Sequence, residues 1–218
     1  MVQFPKIIQG GMGVGVSNWR LANAVSRLGQ LGVVSGTALD SLFVRRLADG
    51  DIGGYMRRGL DAFPFPDMAK RIWQDYFVPG GKVSDAPYPT TPMHQRIEPR
   101  KLIELCMVSN FVEVFLAREG HVNKVGVNFL EKVQLPHLAS IYGAMLAGVG
   151  YVLMVAGIPY DSDTGRAICG AIRALMTGES YAASAEMAQQ LGTFAGYADN
   201  REAMLRVIRN HRAAAYDA

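Results

Sequence analysis

Cysteine is scarce. Cys106 and Cys169 are the only two in 218 residues, far apart and in no CxxC pair. That spacing points to no zinc site and no disulfide framework, and it suits a reducing compartment, so a cytoplasmic setting is expected. An excess of charge of one sign is lacking too. Lysine plus arginine total 22 against 19 acidic residues, a formal net +3. With no basic run or charged tail, nucleic acid and an anionic membrane are disfavoured as partners. No long hydrophobic run is present either. The most apolar stretch, "AMLAGVGYVLMVAGI", is too short and too glycine-rich for a membrane span, which takes about 20 apolar residues. The opening "MVQFPKIIQGG" has no charged region followed by a long apolar one, so no signal peptide is expected. Core material is plentiful instead: half of the residues are hydrophobic, enough for one large domain or a domain with an appendage.

Along the chain, "PKIIQGG" reads as a short buried strand ended by glycines. "SNWRLANAVSRLGQ" reads as a helix, with Ser17 as N-cap, Trp19, Leu21, Ala22, Val25 and Leu28 at helical spacing, and Gly29 as its stop. "LGVVSG" is a second buried strand. Helical segments fill 39–77, a proline-rich loop covers 78–97, and a long helix runs from about Glu98 to Glu119. "KVGVNFL" is a third strand, "HLASIYGAMLAG" a helix behind Pro136, and "YVLMVAG" a fourth strand. The order predicts an α/β fold with four parallel strands joined by helical crossovers. After Tyr160 the strand signals stop and the chain reads as alanine-rich helix. All six lysines lie at or before Lys132. The change in composition predicts a division into 1–158 and 159–218.

The loop "QGGMGVGVS" follows the first strand. A dinucleotide fingerprint would need a glycine at position 16, which is Val16, and no acidic residue stands about 20 positions on. The glycines permit close backbone approach to a flat ligand; the other reading is a tight strand-to-helix turn that binds nothing. Asn128 interrupts an apolar strand and needs a polar partner, either a ligand or the next turn.

The runs "PKIIQGGMGVGVSNWRLANAVSRLGQLGVVSGTALD", "SNFVEVFLAREGH", "VGVNFLEKVQLPHLASIYGAMLAGVGYVLM" and "AGIP" resemble nitronate monooxygenase-type flavoproteins (the 2-nitropropane dioxygenase family) over residues 1 to about 158. The resemblance implies a TIM barrel with FMN at the C-terminal ends of its strands. Only about half of that barrel is represented: a partial TIM barrel of four parallel strands, followed by an all-helical segment. The resemblance places Gly10, Gly11, Met12 and Gly13 against the flavin, Ser35 and Gly36 on the same rim, and Asn128 at the isoalloxazine or ribityl part. It implies an FMN-dependent oxidoreductase, of nitronate monooxygenase or enoyl reductase type, acting on a small-molecule substrate. The family's phosphate loops and catalytic histidine belong to the other half. None of His94, His121, His137 and His211 matches that histidine, and His137 reads as a solvated helix start. The catalytic residues therefore stay unassigned, no metal is expected, FMN binding is expected to be weak, and the chain is expected to be inactive as it stands.

Residues from about 157 to 216, "GIPYDSDTGRAICGAIRALMTGESYAAS" and onward, resemble a helical segment of adenosylcobalamin-dependent (class II) ribonucleotide reductases, with Cys169 read as a buried helix thiol. Two further readings follow. The chain is a non-catalytic chimera or rearranged reading frame, or, more remotely, a ribonucleotide reductase fragment. In each case a half-sheet leaves open edges, so self-association into a homo-oligomer is expected.

Overall fold

In the computed structural model the chain is described over residues 5–95, 98–130, 133 and 135–155. The helical segment expected after residue 159, with Cys169, lies outside them. Helix α1 (Trp19–Arg27) begins where Asn18 supplies a cap: its Oδ1 accepts from the N–H groups of Arg20 and Leu21, satisfying donors that have no partner within the helix. Ser17, the expected cap, is buried one residue earlier, and its hydroxyl donates to the Val33 carbonyl. It fastens the start of α1 to strand β1 (Gly32–Ser35). The buried stripe of α1 is Trp19, Ala22 and Ser26. Leu21 and Leu28, expected on it, are exposed.

Three helices follow: α2 (Leu39–Ala48), α3 (Tyr55–Asp61) and α4 (Pro66–Tyr76), the last with proline in its first turn, where a missing N–H costs nothing. After the proline-rich loop come α5 (Arg100–Arg118), β2 (Val125–Leu130), α6 (His137–Leu146) and β3 (Tyr151–Val155). Helix α5 is buried almost all round from Leu102 to Ala117, as expected of a helix apolar on every face. It packs on α1, α2, α3 and α6 and on the sheet. Its closest neighbour is α6. A Cβ on Gly143 would stand 2.0 Å from the Met107 carbonyl oxygen, so only glycine lets the two helices approach this far.

The sheet is parallel, in the order β1-β2-β3. β1 pairs with β2 from Gly32↔Val125 to Ser35↔Asn128, and β2 with β3 from Gly126↔Tyr151 to Leu130↔Val155. Strand alternation sends Val34, Val125, Val127 and Phe129 into the helix-covered core. Gly126 takes the opposite face, beside Val33 and Leu153.

The four-stranded partial barrel is therefore corrected to a small, open, three-stranded sheet with six helices among the described residues. The missing strand is the first. Ile8 forms one isolated parallel bridge with Leu31. There the ladder stops, because the side chain of Gln9 replaces backbone: its Oε1 accepts from the Val33 N–H at 3.1 Å, and its Nε2 donates to the Ser17 hydroxyl. Gly11 and Gly13 then turn the chain at positive φ. Ile7 and Ile8 are 62% and 57% exposed, so an apolar run that reads as a buried strand is a surface segment.

His137 is also corrected. It is 1% exposed, and Nε2 lies 2.9 Å from the Leu130 carbonyl. Burial pushes its imidazole down from 6.5 to about 4. The depressed folded value means that protonation favours unfolding. This residue's contribution is intact above the unfolded value of 6.5 and is lost as pH falls from there toward about 4, a difference of about 3 kcal/mol by linkage. His94 acts in the other direction. Its imidazolium is held by a bond to Glu98, so its contribution is present in acid and lost as pH rises through its raised value. Urea unfolding between neutral and mildly acid pH is expected to show a falling midpoint that His137→Gln largely flattens. An unchanged slope in that variant would remove His137 as the cause.

Candidate functional site

The C-terminal ends of β1 and β2 meet the glycine loop in one small rim. Ser35 pairs in register with Asn128, and the Gly36 N–H donates to the Asn128 carbonyl at 2.8 Å. The Asn128 side chain reaches across to the loop, where Nδ2 donates to the Gly10 carbonyl at 2.6 Å and to the Met12 sulfur at 3.4 Å. Gly10, Gly11, Met12, Gly13, Ser35, Gly36 and Asn128, named from sequence as one site, are thus gathered in one place. The hollow between them is about 130 Å³, lined by Gly11, Met12, Gly13, Ser35, Asn128 and their neighbours. Asn128 is 2% exposed, and its Oδ1 has no hydrogen-bond partner among the described residues, an acceptor that a small N–H or O–H donor would satisfy.

The glycines of this rim have an internal explanation. Gly11 has φ +66°, and a Cβ there would lie 2.4 Å from Val33 Cγ1 and 2.8 Å from Asn128 Cβ. A Cβ on Gly36 would stand 2.2 Å from the Phe129 ring. At both positions the protein's own side chains occupy the Cβ direction, which by itself requires glycine there. Met12 is 54% exposed and belongs to neither core nor cavity wall alone. The volume falls below the roughly 300–1,000 Å³ usual for cofactor and drug-sized sites.

Sequence reading missed a buried charge on α5. Glu113, 2% exposed on α5, accepts from the Trp19 N–H at 2.8 Å through Oε1 and pairs with Arg46 through Oε2. The signal was present as a lone acid in the apolar run "SNFVEVFLAR". His121 lies just past the end of α5, with Nε2 at 2.9 Å from the Ala117 carbonyl.

A family model described as "Ribonucleotide reductase, barrel domain" matches residues 141–215. The vitamin B12-dependent ribonucleotide reductase of Agrobacterium fabrum is 64% identical over 74 residues, 34% of this chain and 6% of that protein. The one from Bradyrhizobium diazoefficiens is 58% identical over the same length and shares. That of Streptomyces coelicolor is 40% identical over 111 residues, 51% of this chain and 11% of its own. The chain thus spans only 6–11% of these relatives. No solved structure matches the chain significantly.

These findings correct the flavoprotein reading. The similarity found is to vitamin B12-dependent reductases, and the nitronate monooxygenase assignment of residues 1–158, its FMN-dependent oxidoreductase activity and its FMN cofactor are withdrawn. The rim agrees: it is too small for an isoalloxazine, and Gly11 and Gly36 are required by internal packing. A corrin fits no better among the described residues. It exceeds the rim hollow many times over, and a wider hollow of about 560 Å³ at the opposite ends of the strands is an open surface beside Lys6, Gln30, Asn123 and Lys124. No cobalamin step is assigned to the described residues. No helix among them is long and apolar enough to cross a membrane.

Proposed function

We propose that the chain serves ribonucleotide reduction as a barrel-domain segment, through residues 141–215, and that it does not reduce ribonucleotides by itself. The observation that supports this is the 64% identity over 74 residues to a vitamin B12-dependent reductase. Its dependence on further parts of such a reductase is supported by the one cysteine among the described residues. Cys106 is buried and free, and burial pushes its thiol well up, so among the described residues there is no accessible thiolate for radical or redox chemistry. The division into 1–158 and 159–218 is kept as part of this reading, as is a cytoplasmic setting, which suits a free thiol.

The test is a graft. Residues 141–215 replace the corresponding segment of the Agrobacterium fabrum reductase. Activity with adenosylcobalamin is expected to stay within about tenfold of the parent, a loss of no more than ~1.4 kcal/mol in barrier. A folded but inactive graft would sink the proposal, and so would deoxyribonucleotide formed by the ungrafted chain with adenosylcobalamin and a dithiol. Self-association through the sheet edges belongs to the same reading. β1 and β3 each pair on one side only within the three-stranded sheet, and light scattering that returns a monomer would remove that part.

A further inference from the structure

We infer that Asp40, His94 and Cys106 form a binding site for a divalent transition-metal ion, zinc by its donor set, with Glu98 holding the imidazole in place. The linear spacing of cysteine and histidine hides such a site; the fold assembles it. Asp40 comes from the first turn of α2, His94 from the proline-rich loop and Cys106 from α5. One ligand atom from each lies within 4.8 Å of the other two. Asp40 is 7% and Cys106 2% exposed, so these donors face one another rather than water.

The His94 ring is a second, independent pointer. Its Nδ1 is 2.7 Å from Glu98 Oε1, a hydrogen bond, while its Nε2 is 3.9 Å from Asp40 Oδ2, too long for one. A carboxylate on one ring nitrogen, with the other aimed at further donors, is the arrangement that orients metal-bound imidazoles. Ligand atoms on a tetrahedral zinc stand about 3.3–3.8 Å apart, given zinc–nitrogen and zinc–oxygen distances near 2.0 Å and zinc–sulfur near 2.3 Å. Closing the set takes up to about 1.5 Å between any pair, with His94 Nε2 and Asp40 Oδ2 already at 3.9 Å. Mixed sulfur, imidazole and carboxylate donors favour zinc over magnesium or calcium, which take oxygen.

A bound metal would have to reverse the protonation of the thiol. In the metal-free protein the Cys106 thiol is held protonated by burial and by the nearby Asp40 and Glu98 carboxylates, against one opposing bond from Ser140. A dication offsets those carboxylates and displaces the thiol proton to solvent.

The full chain, stripped with a chelator, is titrated with cobalt(II) and then zinc. Tetrahedral cobalt absorption with a thiolate-to-cobalt charge-transfer band is expected, saturating at one ion per chain and abolished by zinc. Cys106→Ser should remove the charge-transfer band. His94→Ala and Asp40→Asn should each weaken binding at least tenfold, and Cys169→Ser should change nothing. Circular dichroism establishes that each variant is folded. Folded wild-type protein that gives no thiolate band overturns the inference, whatever the variants do. So does a band lost in Cys169→Ser but kept in Cys106→Ser, or binding indifferent to both His94→Ala and Asp40→Asn.

Discussion

Glu113→Ala is expected to lower stability by about 3 kcal/mol and the melting temperature by roughly 6–12 °C. Glu113 is 2% exposed and serves two partners at once, the Trp19 N–H at the start of α1 and the Arg46 guanidinium on α2. It therefore joins three helices at one point. Alanine leaves a buried N–H unsatisfied, which costs about 1–3 kcal/mol, and strips the counter-charge from Arg46. Breaking a buried pair from one side commonly costs about 3–5 kcal/mol. The Arg46 side chain is 21% exposed, so its guanidinium can rehydrate, which sets the expectation at the lower end. Glu113→Gln keeps an acceptor for Trp19 and should lose less than half as much. Arg46→Met with Glu113→Leu, which removes both charges, should recover the part due to the unpaired charge but not the part due to the unsatisfied Trp19 N–H. Denaturant midpoints decide the matter: a loss under about 1 kcal/mol for Glu113→Ala would mean that the pair behaves as a surface ion pair despite its burial.

The same residue shows where the sequence was readable and where it was not. The apolar run around Glu113 announces a buried helix, because period and composition are local properties. Its partner Arg46 stands 67 residues away, and nothing local announces that. Strands β1, β2 and β3 and the helices between them follow from apolar runs bounded by glycine and proline. The segment at Ile7 and Ile8 has the same composition, yet it makes one bridge, because the Gln9 amide takes a place in the ladder that backbone would otherwise fill. That substitution is tertiary. Gly10 to Gly13, Ser35, Gly36 and Asn128 do meet in one rim, while the FMN expected there is overturned by the similarity to vitamin B12-dependent reductases. A glycine demanded by Val33 and Asn128 looks in sequence like a glycine demanded by a flavin. His94 and Cys106 show the reach of tertiary structure in another way: their spacing along the chain carries no metal signal, and the packing of the loop against α2 and α5 brings their donor atoms and that of Asp40 within 4.8 Å of one another.

Gly143→Val is expected to cost more than Glu113→Ala and to open α5 and α6 together. A Cβ at this position would meet the Met107 carbonyl oxygen at 2.0 Å, its carbon at 2.8 Å and its Cα at 2.9 Å. All three are backbone atoms, which cannot rotate away as a side chain can, so the helices must separate. Ordinary overpacking costs about 1–3 kcal/mol, and a backbone clash of this depth exceeds that range, leaving little of the roughly 5–15 kcal/mol typical of a domain. Even Gly143→Ala should be clearly destabilising. The position also bears on how the chain is organised. Gly143 lies inside the segment similar to the reductase barrel domain, residues 141–215, and Met107 lies outside it. β2 and β3 straddle the same line, paired from Gly126↔Tyr151 to Leu130↔Val155. The beginning of the reductase-like segment is therefore built into the core that α5 and β2 supply. Amide hydrogen exchange of Gly143→Ala should show α5, α6, β2 and β3 losing protection as one unit. Faster exchange confined to α6 and β3, with α5 fully protected, would mean that the reductase-like segment docks as a separate unit and that its likeness to the reductase carries no obligation to the rest of the chain.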